Sequence, residues 1–265
     1  MLLRATSALL LLITGHAIAS QAQAGTVLKT VVRDLANDRE VLSTSYAQQG
    51  SLRVETTGGS GTVVLFKNDV LYTLDTQQKT YLMVDQATMQ RMIEQLGPAL
   101  KKVQEMLASM PPEQRAQLEK TLGTSGAGSK PVVEKVRKTG RNDKIQGYAC
   151  SYSEVLRDEV VSTEACVVAP ATLKGSQDLL DVSSRLLAFM KPLTESVDLP
   201  FMRQIASRQL DNYAQLGGIP VRVRRFDAGK AIFESTLQSI STEAVPAAMF
   251  EVPEGYTKKD LPLPR

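Results

Sequence analysis

Alternation of apolar and polar residues with a period of two is the feature that most constrains the fold of this chain. It runs from Thr26 to Val84 and is interrupted at short intervals by turn-forming pairs such as Asn68-Asp69. Successive side chains of a strand point to opposite faces, so the pattern predicts short strands joined by tight turns, an antiparallel meander. The predicted strands are 26–33, 41–48, 51–57, 62–67, 70–75 and 80–84.

The period changes to that of an amphipathic helix after Asp85, which we predict to be the N-cap. Apolar residues then recur three or four positions apart as far as Leu107, and charged residues occupy the other side. Pro111-Pro112 ends this helix and starts a shorter one over 113–122, because proline is tolerated in a first helical turn but not in an interior. Together they form a helical insertion near 86–122.

A second helical insertion is predicted near 176–216. Pro192 and Pro200 divide it, and Gly217-Gly218 ends it as a C-terminal cap. Ten or eleven strands with two such insertions favour a single α+β, mostly β domain over 25–265. We expect one curved antiparallel sheet, an unclosed β-barrel, with the helices covering its concave face. The remaining predicted strands are 131–138, 144–156, 160–168, 219–226 and 231–240.

Two alternating segments that carry Cys150 and Cys166 predict a β-hairpin. A turn centred on Asp158 places the cysteines directly opposite each other, where Cα atoms of a non-hydrogen-bonded pair are about 4.5 Å apart, within the range that a disulfide bridges. We therefore predict a structural disulfide, since the alternative of two free thiols, one of them catalytic, fits an even cysteine count in an exported chain less well. The same register pairs Tyr148 with Val168, Tyr152 with Glu164 and Leu156 with Val160.

The first 24 residues have the three zones of a signal peptide: one basic residue, Arg4, then an apolar core, then a tail of small residues. Cleavage sites of the small-x-small type end at Ala19 and Ala24, and the strand-like sequence from Thr26 favours Ala24. The apolar core is well short of the ~20 residues that span a bilayer. We therefore expect a soluble periplasmic product rather than a protein with a transmembrane anchor.

Cleavage would also remove His16, the only histidine in the chain. Histidine is the usual general base near neutral pH and the commonest transition-metal ligand. Ser-His-Asp triads, Cys-His dyads and His-built metal sites are therefore excluded from the mature protein, and we expect a non-catalytic protein without a cofactor. A hydrolase that brings two carboxylates together in space remains an open alternative.

The charges give no sign of a nucleic-acid partner. The 31 basic and 28 acidic residues are interspersed, whereas nucleic-acid binding requires a basic face or stripe. The densest basic group, Arg222-Val223-Arg224-Arg225, lies in an alternating strand, and we interpret it as a solvated strand face.

Methionines concentrate in and beside the helical regions. Methionine is flexible and polarizable, so it suits an adaptable apolar groove, and ordinary core packing is an equal alternative. Copper sites built from Met89 with Met92, or Met106 with Met110, lack a supporting cysteine or histidine, and no metal site is predicted. The predicted ligand-binding residues, on the cavity or on a helical lid, are Met89, Met92, Ile93, Leu96, Leu100, Leu186, Phe189 and Met190.

Four short segments in this order resemble an uncharacterised family of bacterial periplasmic proteins related to the outer-membrane lipoprotein carrier (LolA-like) superfamily. The resemblance covers most of Thr26 to Tyr256. It implies an unclosed β-barrel with a helical lid over an apolar cavity, in a superfamily whose members bind acyl chains or sense misplaced lipoproteins. The segments are Gly147-Tyr148-Ala149-Cys150, Glu164-Ala165-Cys166-Val167, Gly217-Gly218-Ile219-Pro220-Val221 and Phe250-Glu251-Val252-Pro253-Glu254-Gly255-Tyr256.

The chain departs from the carriers because it begins directly with a strand and has a long, Met-rich helical insertion. No ligand-binding residue of the carriers can be matched to a position here, so the resemblance transfers function only as a class. We expect a periplasmic binding protein for an apolar or amphipathic ligand, such as a lipid or a lipoprotein acyl chain. The alternative is an envelope protein-interaction or sensor module without a bound lipid.

Overall fold

The computed structural model describes residues 23–58, 61–111, 113–114, 134–196, 216 and 218–261. In these ranges twelve strands form one large curved sheet that is not closed into a barrel, which confirms the predicted fold class. The strands are β1 (Gln23–Asp34), β2 (Arg39–Gln48), β3 (Ser51–Thr57), β4 (Thr62–Lys67), β5 (Val70–Asp75), β6 (Thr80–Val84), β7 (Glu134–Ile145), β8 (Tyr148–Arg157), β9 (Val160–Val168), β10 (Ile219–Asp227), β11 (Lys230–Val245) and β12 (Thr257–Lys258). Their order across the sheet is β12-β6-β5-β4-β3-β2-β1-β11-β10-β9-β8-β7.

The first six strands form the predicted meander, and β3 to β6 have the predicted bounds. Two-residue turns fix several of these ends: Gln49-Gly50 and Asn68-Asp69 have positive φ at both positions, between 47° and 73°. This is the type I′ geometry, whose twist matches that of the flanking strands. β1 starts at Gln23 rather than Thr26, because Gln23 and Ala24 already pair with β11.

The disulfide between Cys150 and Cys166 is confirmed, with the Cα atoms 5.4 Å apart, but the predicted register of its hairpin is wrong. The turn has two residues, Asp158 and Glu159, with φ of 48° and 67°, so it is not centred on Asp158. A register shift follows between Val155 and Leu156. The cysteines are therefore diagonal neighbours. The observed partners are Tyr152 with Cys166, Glu154 with Glu164 and Leu156 with Val161.

Two long helices accompany the sheet, α1 (Gln86–Ser109) and α2 (Ser176–Ser196). α1 starts as predicted, since Asp85 Oδ1 accepts a 2.7 Å hydrogen bond from the Thr88 amide. α2 continues through Pro192, which we predicted to divide it. Proline removes an intrahelical bond, but here it lies near the helix end. The predicted helical residues 115–122 and 197–215 lie outside the described residues.

The C-terminal segment packs on the face opposite α2. A 3-10 turn, Ala247–Phe250, places Phe250 against Val27 of β1. Tyr256 then packs on the cluster of Val63, Leu65 and Leu74, and β12 pairs with β6 in parallel, an exception to the predicted antiparallel sheet. The Phe250-to-Tyr256 motif is thus a strap that covers apolar strand residues.

Candidate ligand-binding face

α2 lies on β1, β2 and β3. Val182 is fully buried at the centre of this contact, against Ala47, Leu52 and Phe66. The side chain of Ala47 points to the face of the sheet that α2 covers, and that of Tyr46 points to the opposite face. The face that α2 covers is the concave face.

Hydrogen bonds fix α2 on the sheet at two places. At its start, Thr26 Oγ1 donates a 2.6 Å hydrogen bond to the Gly175 carbonyl. Gly175 has φ +80°, and a Cβ atom there would lie 2.4 Å from Thr26 Oγ1, so the close approach requires glycine. Further along the helix, Arg185 reaches two hairpin turns, donating to Asp69 Oδ1 at 2.8 Å and to the Gly50 carbonyl at 3.3 Å. α2 is therefore a fixed part of the fold.

α1 leaves β6 and contacts both β6 and α2. Of the predicted ligand-binding residues on α1, Met89 is buried, with 4% of its surface exposed. Met92 and Ile93 are half-buried. Leu96 and Leu100 lie on α1, but their side chains are outside the described part of the chain.

Two of the three predicted residues on α2 face the sheet. Leu186 and Phe189 pack against the cluster around Val182, and the rings of Phe189 and Phe66 have centroids 5.6 Å apart. Met190 is half-buried. The structure therefore places Leu186 and Phe189 between helix and sheet, together in one apolar cluster.

Two rows of residues cross the concave face over seven strands, from β2 to β7, and Leu216 packs on the centre of the first row, against Ala165 and Val223. The register is unbroken in both rows, so each residue lies directly beside its neighbour on the next strand. The first, the valine row, consists of Val41, Val32, Ser235, Val223, Ala165, Ser153 and Lys138. The second, the arginine row, consists of Arg39, Asp34, Phe233, Arg225, Thr163, Val155 and Val136.

Arg225 is the residue of this face that we did not select from the sequence. We interpreted the basic group around it as one solvated strand face, but Arg224 and Arg225 are adjacent in β10 and lie on opposite faces. The guanidinium of Arg225 stacks on Phe233, with Cζ 4.4 Å from the ring centroid. Strict alternation was the available signal, because consecutive arginines of a strand cannot share a face.

The opposite face of the same strands carries a charged belt. Glutamates and arginines are direct neighbours across the strands, and the three central glutamates, Glu234, Glu164 and Glu154, have side chains only 13–14% exposed. Each accepts a hydrogen bond from an arginine. Arg224 donates to Glu234 at 2.6 Å, Arg137 donates to Glu154 at 2.5 Å, and Arg141 donates to Glu164. The belt consists of Glu40, Arg33, Glu234, Arg224, Glu164, Glu154 and Arg137.

Beside the belt, Tyr152 lies between two guanidinium groups and the disulfide. The Cζ atoms of Arg141 and Arg222 are 4.4 Å and 5.5 Å from its ring centroid. Its hydroxyl donates to Asp143 Oδ2 at 3.0 Å, and Arg222 donates to the same oxygen at 3.3 Å. Cation–π contacts and hydrogen bonds together fix the ring opposite Cys166.

The pKa shifts that are resolved have local structural causes. A side-chain hydrogen bond with Thr88 lowers the pKa of Asp85, the helix cap. A hydrogen bond with Lys135 lowers the pKa of Glu159 in a hairpin turn. Burial raises the pKa of Tyr72. These shifts mark a cap, an ion pair and an apolar contact.

Among the described residues, no three histidine, cysteine or carboxylate side chains come together as metal ligands. No described helix combines the length and apolar character needed to cross a membrane.

Comparison with known proteins identifies a family. A search of curated proteins finds no match. Among solved structures, the chain is similar to an uncharacterised conserved protein of Thermus thermophilus, with 10% identity, a TM-score of 0.46 and 91% of each chain covered. It is also similar to a chain of the Pseudomonas aeruginosa MucA/MucB complex, with 10% identity, a TM-score of 0.38, and 85% of this chain and 54% of the other covered. The family model described as a domain of unknown function (DUF4412) matches residues 116–256, more than half of the length, and the chain belongs to this family.

Proposed function

We propose that this protein is a non-catalytic periplasmic binding protein for an apolar or amphipathic ligand, such as a lipid or a lipoprotein acyl chain. One observation carries the proposal. Large apolar side chains on α1, α2 and the concave rows are half-buried, among them Met92, Met190 and Phe233. A face of this kind offers apolar surface that a ligand would remove from water.

The arrangement of the helices supports the same function. α2 is bonded to the sheet at both Gly175 and Arg185, so it forms a wall of the site without needing to move. Both α1 and α2 carry methionines, and methionine adapts its shape to irregular apolar ligands. The resemblance to the LolA-like superfamily agrees with this at the level of class.

A non-catalytic role follows from the chemistry that the chain carries. The only histidine, His16, lies in the segment that we interpret as a signal peptide, and both cysteines are joined in the disulfide. The carboxylates of the charged belt are held by arginines, which suits a structural role. Binding therefore uses the available side chains better than acid–base or nucleophilic chemistry does.

The test is extraction of lipid from the protein purified from the periplasm, together with uptake of N-phenyl-1-naphthylamine by the delipidated protein. We expect a co-purified lipid and a fluorescence increase on uptake. Met190→Gln and Met92→Gln should weaken probe binding about tenfold each, because a polar amide replaces an apolar contact. Met106→Gln is the matched control, since Met106 lies on α1 but is 47% exposed.

An empty protein that also excludes the probe would contradict the proposal. The remaining function would then be the interaction or sensor module without a lipid, which a pull-down from envelope extracts would test.

A further inference from the structure

We infer that the strap and β12 hold α1 in its position against α2, so that release of the strap opens this side of the proposed binding site. The inference rests on the proposed function and adds a regulatory device to the same site. It follows from the way in which α1 is attached, from the position of β6 directly before it, and from the bonds that β12 makes with β6.

The two helices are attached to the sheet in different ways. α2 is hydrogen-bonded to the sheet at Gly175 and Arg185. Where the structure describes the side chains of α1, their hydrogen bonds join residues of the helix itself, for example Gln90 with Glu94 at 3.1 Å. α1 therefore contacts β6 and α2 without a hydrogen bond from these side chains to either. A segment attached in this way opens at a lower free energy than the rest of a fold.

β6 is the strand from which α1 departs. A single residue, Asp85, separates the two elements, so the position of β6 fixes where the helix starts. The carboxylate of Asp85 accepts the Thr88 amide, and its carbonyl accepts the Met89 amide at 2.8 Å. All five side chains of β6 are half-buried and none is fully buried. The strand thus buries little surface of its own, and its stability depends on the elements at its two edges.

β12 closes the outer edge of β6. β5 pairs with the inner edge along the whole strand, whereas β12 pairs with the outer edge at Thr80 and Tyr81. The Thr257 amide donates to the Lys79 carbonyl at 2.9 Å. The Lys259 amide donates to the Tyr81 carbonyl at 2.8 Å. Without β12, the strand that leads to α1 would have open backbone groups along its outer edge.

The strap holds β12 in place through packing and charge. Tyr256, the residue before β12, packs on the same apolar cluster as Tyr81 of β6. Near the start of the strap, Lys67 of β4 donates a hydrogen bond to Glu251. Both residues of β12 are exposed, so its own bonds are within reach of water. Release of the strap would therefore free β6 and, through the one-residue junction, α1.

The test is amide hydrogen exchange of the delipidated protein, read by mass spectrometry. Thr257→Pro removes the amide that donates to Lys79, and Thr257→Ala, its matched control, keeps that amide. We expect peptides of β6 and of the first half of α1 to exchange about tenfold faster in Thr257→Pro than in Thr257→Ala, whereas peptides of α2 should change less than about twofold. Uptake of N-phenyl-1-naphthylamine should also be faster in Thr257→Pro, because α1 opens more often.

Equal exchange of α1 in the two variants would overturn the inference. An equal acceleration of α1, α2 and the central strands would also overturn it, because the strap would then stabilise the whole fold. Faster exchange of α1 without faster uptake of the probe would show that α1 does not control access to the site. Should Thr257→Pro not fold, Lys259→Pro and its control Lys259→Ala repeat the comparison at the second bond.

The exchange measurement needs no ligand, so it separates this inference from the function on which it rests. If the wild type takes up no probe but α1 exchanges faster in Thr257→Pro, the proposed function fails and the control of α1 by the strap stands. If the wild type takes up the probe and α1 does not respond, the proposed function stands and this inference fails.

Discussion

Arg224 and Arg225 show how the environment of a residue decides what an identical side chain does. Arg224 is bonded to a carboxylate that is itself 13% exposed, and its charge is used within the fold. Arg225 lies against an aromatic ring on the face that carries α2. The first therefore lies in the charged belt, whereas the second lies on the opposite face of the sheet, against Phe233. Adjacent residues of one strand thus lie on opposite faces of the sheet and meet different surroundings.

At Asp85, one carboxylate decides where α1 begins. Asp85→Ala should lower the free energy of unfolding by about 1 kcal/mol, because the Thr88 amide loses its cap. Asp85→Asn should keep most of that stability. The native pKa of Asp85 is lowered from 3.8, so its ionic contribution is complete above about pH 5 and is lost as the pH falls below 3.8. Urea unfolding of the three proteins at neutral and acid pH measures this, and a wild-type advantage over Asp85→Asn that grew toward acid pH would contradict it.

The disulfide between Cys150 and Cys166 should contribute strongly to the stability of the fold. It closes a 16-residue separation between two buried cysteines. Replacing both, Cys150→Ala with Cys166→Ala, should lower the free energy of unfolding by about 3 kcal/mol. Urea unfolding of the oxidised wild type, the reduced wild type and the double variant would measure the difference. Equal midpoints for oxidised and reduced wild type would show that the bond does not stabilise the fold.

At the scale of elements, β1 has a consequence for processing of the chain. The buried side chain of Gln48 donates to the Gln23 carbonyl at 2.7 Å and to the Val245 carbonyl at 3.2 Å. Cleavage after Ala24 would remove Gln23, its hydrogen bond and two residues of the β1–β11 pairing. We therefore expect the signal peptide to end at Ala19, although the onset of alternation favoured Ala24.

The intact mass of the exported protein would distinguish the two sites. We expect a chain that begins at Ser20. An Ala19→Leu variant should accumulate as precursor because cleavage requires a small residue there, whereas Ala24→Leu should be processed like the wild type. A mature chain that begins at Gly25 would contradict this expectation.

Strand bounds were predicted correctly for β3 to β6, which are separated by short turns and end at the start of α1. The hairpin of β8 and β9 was less predictable, because a register shift inside a strand leaves no mark in its alternation, and the cysteines can bond diagonally as well as directly.

For the candidate site, the helical period identified residues such as Leu186 and Phe189 that face the sheet. The rows across the strands were not visible, because they depend on the register of several hairpins and on two pairings, β1 with β11 and β9 with β10, between strands far apart in the chain.

At the scale of the whole molecule, the sheet separates its chemistry by face. The two rows of the concave face carry mainly apolar and small hydroxyl residues with a few charges of both signs, and the other face carries a belt in which every carboxylate has an arginine partner. The belt has one internal conflict: Glu154 and Glu164 are direct neighbours on β8 and β9, and both side chains are only 14% exposed. Like charges in this position are destabilising. Arg141 resolves the conflict by bonding to Glu164 and lying 3.8 Å from Glu154.

Arg141→Gln should therefore lower the free energy of unfolding by about 1–2 kcal/mol, because it leaves the two carboxylates facing each other. Arg33→Gln removes a guanidinium that is 52% exposed and pairs with the equally exposed Glu40. It should cost less than Arg141→Gln, because Glu234, the other partner of Arg33, keeps Arg224. Arg141 also stacks on Tyr152, so the charge effect needs a second substitution to isolate it. Adding Glu164→Gln to Arg141→Gln should restore stability if repulsion causes the loss, and urea unfolding of both single variants and the double variant measures the coupling. A double variant less stable than Arg141→Gln would show that the arginine stabilises the sheet through Tyr152 and not through the belt.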